Sequence, residues 1–219
     1  MKIEIASEIR TSCPQLKLAI IECTVQNSET SSGLWTEMEA EMQLIQNQFT
    51  IEGINKRPAI AATRAAYKLF GKDPNRYRPS AEALCRRIVR EIDIYKVSTL
   101  VDIINLVSIR SGFSIGGFDL EKIQGDLLLR VGASGDVFEA IGRGQLNVEG
   151  LPLYCDQTGG IGTPTSDNER TKITAETTRL LMIINAYGSE SGLKDATDHA
   201  LELLKNYAEL KDFTLTLLD

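Results

Sequence analysis

The chain has 219 residues, 42% of them hydrophobic and 25% charged, with a formal net charge of −6. That length supports a buried core without disulfide or metal staples, and no apolar run reaches the roughly 18–20 residues that a membrane span needs. The acidic balance argues against sequence-blind nucleic-acid binding, which depends on many Lys and Arg contacts to phosphate.

The opening decapeptide, MKIEIASEIR, carries glutamates where a secretory signal needs an apolar core, so a cytoplasmic protein is expected. Lys2 to Ala6 and Leu16 to Val25 read as strands on either side of Pro14. A Ser/Thr/Asn/Gly loop follows from Asn27 to Gly33. Leu34 to Phe49 then sets Leu34, Met38, Met42, Ile45 and Phe49 at helical spacing. Pro58 suits the first turn of a helix that runs to Phe70 and stops at Gly71. Asp73-Pro74 makes a turn, and a third helix spans Ala81 to Arg90 behind Pro79 and Ser80.

Between Asn55 and Lys96, eleven basic residues face four acids, a local charge of +7 on an otherwise acidic chain. Such a segment fits either a partner that touches one face or a set of solvated helix faces. Arg78, Arg86, Arg87 and Lys96 are its candidate phosphate contacts, with surface ion pairing as their alternative role.

Ser98 can cap the next helix, which projects Asp102 and Asn105 from one face. A glycine-rich loop (Gly112, Gly116, Gly117) and the pair Phe118-Asp119 come after it. Asp102 and Asn105 fix either a ligand or the backbone N–H groups of that loop. Short strands are expected at Asp126–Val131, Val137–Ala140, Leu153–Asp156 and Arg179–Ala186. Asp195 to Leu210 is an amphipathic helix, and Phe213 to Leu218 alternates as a closing strand. Helices followed by clustered short strands give an α+β fold in one domain, residues 1–219, with the helices covering a largely antiparallel sheet.

Several chemistries are set aside. The one histidine, His199, stands amid Asp195 and Asp198 on the last helix and reads as a surface residue, which leaves nucleophile–histidine arrangements without a partner. Cys13, Cys23, Cys85 and Cys155 lack zinc-site spacing and read as buried free thiols. Neither Gly116-Gly117 nor the run Thr158 to Ser166 is a nucleotide phosphate loop, so no cofactor and no metal is expected. Both glycine sites can still bring bare backbone N–H groups close to a ligand, or serve as ordinary turns.

Three stretches together resemble a known family. They are Val97-Ser-Thr-Leu-Val-Asp-Ile-Ile-Asn-Leu-Val107, Gly112-Phe-Ser-Ile-Gly-Gly-Phe-Asp-Leu120 and Gly125-Asp-Leu-Leu-Leu-Arg130. The pattern is similar to the editing domain of bacterial phenylalanyl-tRNA synthetase β chains, the B3/B4 or tRNA-binding domain, with a "VVD-x-x-N" helix and a "QPLHAFD" loop. The match covers Arg78 to Ile184, and the first half of the chain looks more like free-standing proteins carrying this domain.

The resemblance implies an α+β fold and a pocket that, in the synthetase, binds the 3′ end of a tRNA wrongly charged with tyrosine, whose ester a held water attacks. Carried over residue by residue, Asp102, Asn105, Gly117, Asp119 and Asp156 fit, and the candidate pocket is Asn105, Gly116, Gly117, Asp156 and the turn with Thr163, Thr165 and Ser166. The family's histidine falls at Gly116, its arginine at Tyr95, and its glutamate at Met182 or Ile183. A pocket that selects a tyrosine hydroxyl must hydrogen-bond it, so a different side chain or ligand is expected here. Two activities follow: binding of aminoacyl-tRNA ends with hydrolysis of a mischarged species in trans, or non-catalytic binding of a small amino-acid-like or nucleoside ligand.

Overall fold

Two apolar runs, LAIIEC and LLMIINA, are too continuously hydrophobic for a sheet with one wet face, and both become strands buried on two sides. The computed structural model describes residues 1–188 and 191–219. In chain order the elements begin β1 (Ile3–Ile5), α1 (Ser7–Ser12), β2 (Lys17–Thr24), α2 (Ser32–Gln48), α3 (Pro58–Leu69), α4 (Ser80–Val89) and α5 (Thr99–Ser111). They continue with β3 (Ser114–Asp119), β4 (Leu127–Val131), β5 (Glu139–Ala140), β6 (Gly144–Gln145), β7 (Pro152–Cys155) and β8 (Gly160–Gly162). The last three are β9 (Arg179–Ala186), α6 (Leu193–Tyr207) and β10 (Phe213–Leu218).

The fold is α+β, and its strands divide between two sheets. One has the order β10-β2-β9-β3 and is antiparallel throughout. The other has the order β1-β4-β7-β8, with β1 and β4 parallel. A two-stranded ribbon, β5-β6, stands apart.

Three layers result. Ala19, Ile21, Met182 and Ile184 face a core built with α2, α4, α5 and α6. Leu18, Ile20, Leu181 and Ile183 alternate to the opposite face and meet Leu127, Leu129, Tyr154 and Ile161 of the second sheet. Tyr154 Oη donates to Asn185 Oδ1 at 2.6 Å across that interface, so its buried hydroxyl is satisfied.

Several expectations need correction. Gly116 and Gly117 lie in a strand, not a loop: β3 is buried at all six positions and pairs with β9 along its length. Glycine weighs against a strand in sequence, but here pairing with a doubly buried neighbour decides. Of the expected strand Val137–Ala140, two residues pair. The helix α1 and the strands β6 and β8 were not foreseen.

Ser98 occupies the cap position of α5, yet its side chain makes no cap bond. Asn27 supplies the cap instead, accepting from Leu100 N–H at 3.1 Å while its amide donates to Thr174 O at 2.8 Å. All four cysteines are free and buried, as expected. Among the described residues no helix is long and apolar enough to cross a membrane.

Candidate functional site

The strand β3 is the last of its sheet and β8 the last of the other. Where these two edges approach beneath α4 and α5, a cavity of about 480 Å³ opens, a volume within the range of small-ligand sites. Its walls are mostly aliphatic, including Leu84, Val101, Ile104, Ile115, Ile141 and Ile173. Polar groups enter from Ser80, Asn105, Ser166, Asp167 and Lys172.

Asp167 is the chemically distinctive member. Its Oδ2 accepts from Gly117 N–H at 3.2 Å, its one side-chain hydrogen bond among the described residues. The carboxyl is wedged between the strands: a Cβ on Gly162 would lie 2.8 Å from Asp167 Oδ1, and one on Gly116 3.7 Å from it. Burial pushes its pKa up to about 7, against the opposing pull of the Gly117 N–H. The residue remains half-buried and borders the cavity. A carboxyl that titrates near neutrality beside a cavity is suited to proton transfer.

Asn105 extends from α5 into the same space, and its carboxamide makes no hydrogen bond among the described residues. It therefore offers one acceptor and two donors to whatever enters. Gly117 forms part of the floor, where an added Cβ would come within 2.3 Å of Ile104 Cδ1 and 3.2 Å of Ile173 Cδ1.

Of the seven pocket residues expected from sequence, Asn105, Gly117 and Ser166 line this cavity. Gly116 faces the other way, because neighbours on a strand alternate; its Cβ would strike the Phe118 ring at 2.7 Å on the inter-sheet side. Asp156 is engaged elsewhere. Burial alone would raise its carboxyl, but Arg170 and the backbone N–H groups of Gln124, Thr158 and Gly159 hold it below the usual range. Thr163 Oγ1 accepts from Thr165 N–H and Ser166 N–H, both at 3.1 Å, and so shapes the turn that carries Asp167. Thr165 shares a 2.8 Å hydrogen bond with the buried Tyr67 hydroxyl.

Asp102 and Asn105 part company. Asp102 is fully buried; burial raises its pKa, while Thr30 and the Val97 N–H stabilise its charge. It ties the strap before α5 to that helix rather than holding the glycine strand. Asp119 is likewise structural: it accepts from Glu121 N–H at 3.1 Å and from Thr177 Oγ1 at 2.9 Å.

The basic candidates also separate. Glu82, buried to 1% exposure, gathers Arg64, Arg78 and Arg86 at 2.8, 3.5 and 3.8 Å, a cluster with net charge +2. Arg87 belongs to another stripe of α4, in line with the cavity residues Ser80 and Leu84 at spacings of four and three. Its guanidinium lies 5.6 Å from the ring of Tyr95, which is 71% exposed on the strap. Lys96 stacks over Trp35 at 5.0 Å, beside a separate groove.

His199 is half-buried rather than on the surface, and burial together with Arg110 pushes its pKa down. It borders a different depression of about 620 Å³ with Arg110 and Asp195. Among the described residues, no three His, Cys, Asp or Glu side chains converge as metal ligands.

Comparison with known proteins bears on this geometry. A family model described as the B3/4 domain matches residues 62–209. Among solved structures, the chain is similar to an N-terminal fragment of the phenylalanyl-tRNA synthetase beta-subunit from Pyrococcus horikoshii, with a TM-score of 0.50 and 12% identity. That alignment covers 100% of this chain and 54% of the fragment, so the chain spans about half the length of that relative. At such low identity the likeness concerns the fold alone. No curated protein matches the sequence.

Proposed function

This chain belongs to the B3/4 domain family, and from that premise we propose that it binds the 3′ end of an aminoacyl-tRNA and hydrolyses a mischarged species in trans. Residues 1–219 act as one such domain in this reading. The observation that carries it is Asp167, a carboxyl with a pKa of about 7 bordering a mostly aliphatic cavity, with the unpaired amide of Asn105 beside it.

The steps follow from those two groups. Ionised Asp167 takes a proton from a water as the water oxygen bonds to the ester carbonyl carbon. Asn105 Nδ2 donates to the carbonyl oxygen while negative charge develops there. Collapse of the adduct breaks the bond to the ribose oxygen, which receives the proton from Asp167. The aliphatic wall takes the amino-acid side chain.

The family's histidine and glutamate positions support a substrate other than tyrosine. They hold Gly116 and Met182 or Ile183, and Gly116 pairs directly with Ile183 across β3 and β9. Arg87, on the α4 stripe that continues from the cavity, and Tyr95, which lines the separate groove together with Lys96, supply contacts for phosphate and base. Arg78, just before α4, and Arg86, on its next face, add positive charge. Charged tRNA as substrate implies the cytoplasm as the site of action.

Incubation with a panel of correctly and wrongly charged tRNAs tests the reading. Release of one amino acid, lost in Asp167→Asn, is expected; a panel neither bound nor hydrolysed overturns it. The apolar residues at the family's polar positions favour a second reading, binding of a free amino-acid-like ligand without catalysis. Thermal stabilisation by such a ligand in the absence of tRNA distinguishes it.

A further inference from the structure

The sheet that ends in β3 at the cavity ends at its other side in β10, whose one partner among the described residues is β2. Its sequence, FTLTLL, contains no charge and no proline, and its register with β2 runs from Phe213–Cys23 to Leu218–Leu18 without a bulge. Proteins ordinarily guard a free edge with one of those devices, because its unpaired N–H and C=O groups accept another strand.

The side chains are also uncovered. On the helix side of the sheet, Ala19, Ile21 and Cys23 are buried beneath the helices, and their partners Leu217, Leu215 and Phe213 continue that apolar row outwards. Those three are 69%, 39% and 50% exposed. An apolar shelf beside an open backbone edge is a template for strand addition.

We propose that β10 pairs antiparallel with β10 of a second copy of this chain about a twofold axis at Leu215, joining two four-stranded sheets into one of eight. The sequence around that point is self-complementary. Leu215 meets its own copy, Phe213 meets Leu217, and Thr214 meets Thr216. The match is confined to β10 itself, because Lys211 and Asp212 both lie against Thr24 and leave the register there. A closed twofold contact requires this kind of match, in which each residue's partner returns the same contact. An unrelated partner strand would not require it.

Cysteine pairing reads the register directly, since the four native thiols are buried. Under mild oxidation, Leu215→Cys forms a covalent dimer, because directly opposite Cβ atoms lie about 4.5–5.5 Å apart. Phe213→Cys alone does not, since its two copies stand about 14 Å apart along the strand. Mixed with Leu217→Cys, it does. In sedimentation velocity the unmodified chain shifts from one to two copies as concentration rises. Leu215→Lys, which sets like charges against each other at the axis, weakens that association by about tenfold or more.

A chain that stays monomeric throughout, Leu215→Cys that forms no covalent dimer, or Leu215→Lys that dimerises unchanged would overturn the pairing. Capture of an unrelated strand peptide by a monomeric chain would overturn it too. None of these outcomes depends on the tRNA reading.

Discussion

Replacing Asp167 with Asn keeps the shape of the side chain and an acceptor for the Gly117 N–H, and it removes the ionisation. The folded carboxyl titrates at about 7, against 3.8 for the free group. Between those values the folded chain holds a proton that the unfolded chain has released. The stability from this group is therefore full below pH 3.8 and is lost as pH rises through 7. From pH 5 to pH 8 the wild type should lose about 2–3 kcal/mol through Asp167 alone, at about 1.4 kcal/mol per pH unit while the proton difference lasts. Asp167→Asn carries every other titrating group unchanged, so the difference between the two proteins isolates this carboxyl. Urea unfolding of both proteins at unit steps from pH 5 to pH 8 measures it. The variant should gain on the wild type steadily, by about 2–3 kcal/mol in total. Parallel stability curves, or a variant that loses ground at pH 8, would refute the argument that burial raises this group.

Three substitutions probe the rest of the site and its scaffold. Asn105→Ala should leave stability within about 0.5 kcal/mol, because its amide has no protein partner to lose, while weakening ligand binding about tenfold by titration calorimetry; the reverse pattern would make Asn105 a structural residue. Gly117→Val drives a branched side chain against Ile104 and Ile173 and should cost about 1–3 kcal/mol in urea unfolding. It should also abolish binding, and a variant that binds normally would show that the cavity is not the site. Asn27→Ala should cost about 1 kcal/mol as a lost helix cap, more than Ser98→Ala at the formal cap position; equal losses in thermal melts would contradict the remote cap.

How much of this was legible in the sequence depends on the kind of contact. Helices α2 to α6 announced themselves by period and by Pro58, Pro79 and Gly71, since those signals are local. The runs that form β2 and β9 were readable as strands, although their burial on both faces required the second sheet. Ser114 to Asp119 reads as a loop because its two glycines lack the side chains that mark a strand. Once β3 is a strand, alternation decides that Gly117 meets the cavity and Gly116 does not.

Asp167 left no signal, being one acid in a Ser/Thr/Asn turn. Its raised pKa arises from burial between the strands, and its hydrogen-bond partner, Gly117, is 50 residues away. Asn27 capping α5 is hidden for the same reason, across 73 residues. The separation of Arg87 from Arg86 was available from helical spacing alone. Their shared basic segment fits either one partner-facing surface or several solvated faces, and the structure divides it by what each guanidinium meets.

In the proposed mechanism Asp167 acts as the base for ester hydrolysis in the cavity between the two sheet edges. The pH dependence of deacylation, corrected for uncatalysed hydrolysis, tests it most directly, using the charged tRNA that the panel identifies. The rate should rise through pH 7 and then level as Asp167 completes its ionisation, and this rise should vanish in Asp167→Asn while tRNA binding persists. A rate no greater than the uncatalysed one, or a profile that Asp167→Asn leaves unchanged, would contradict it.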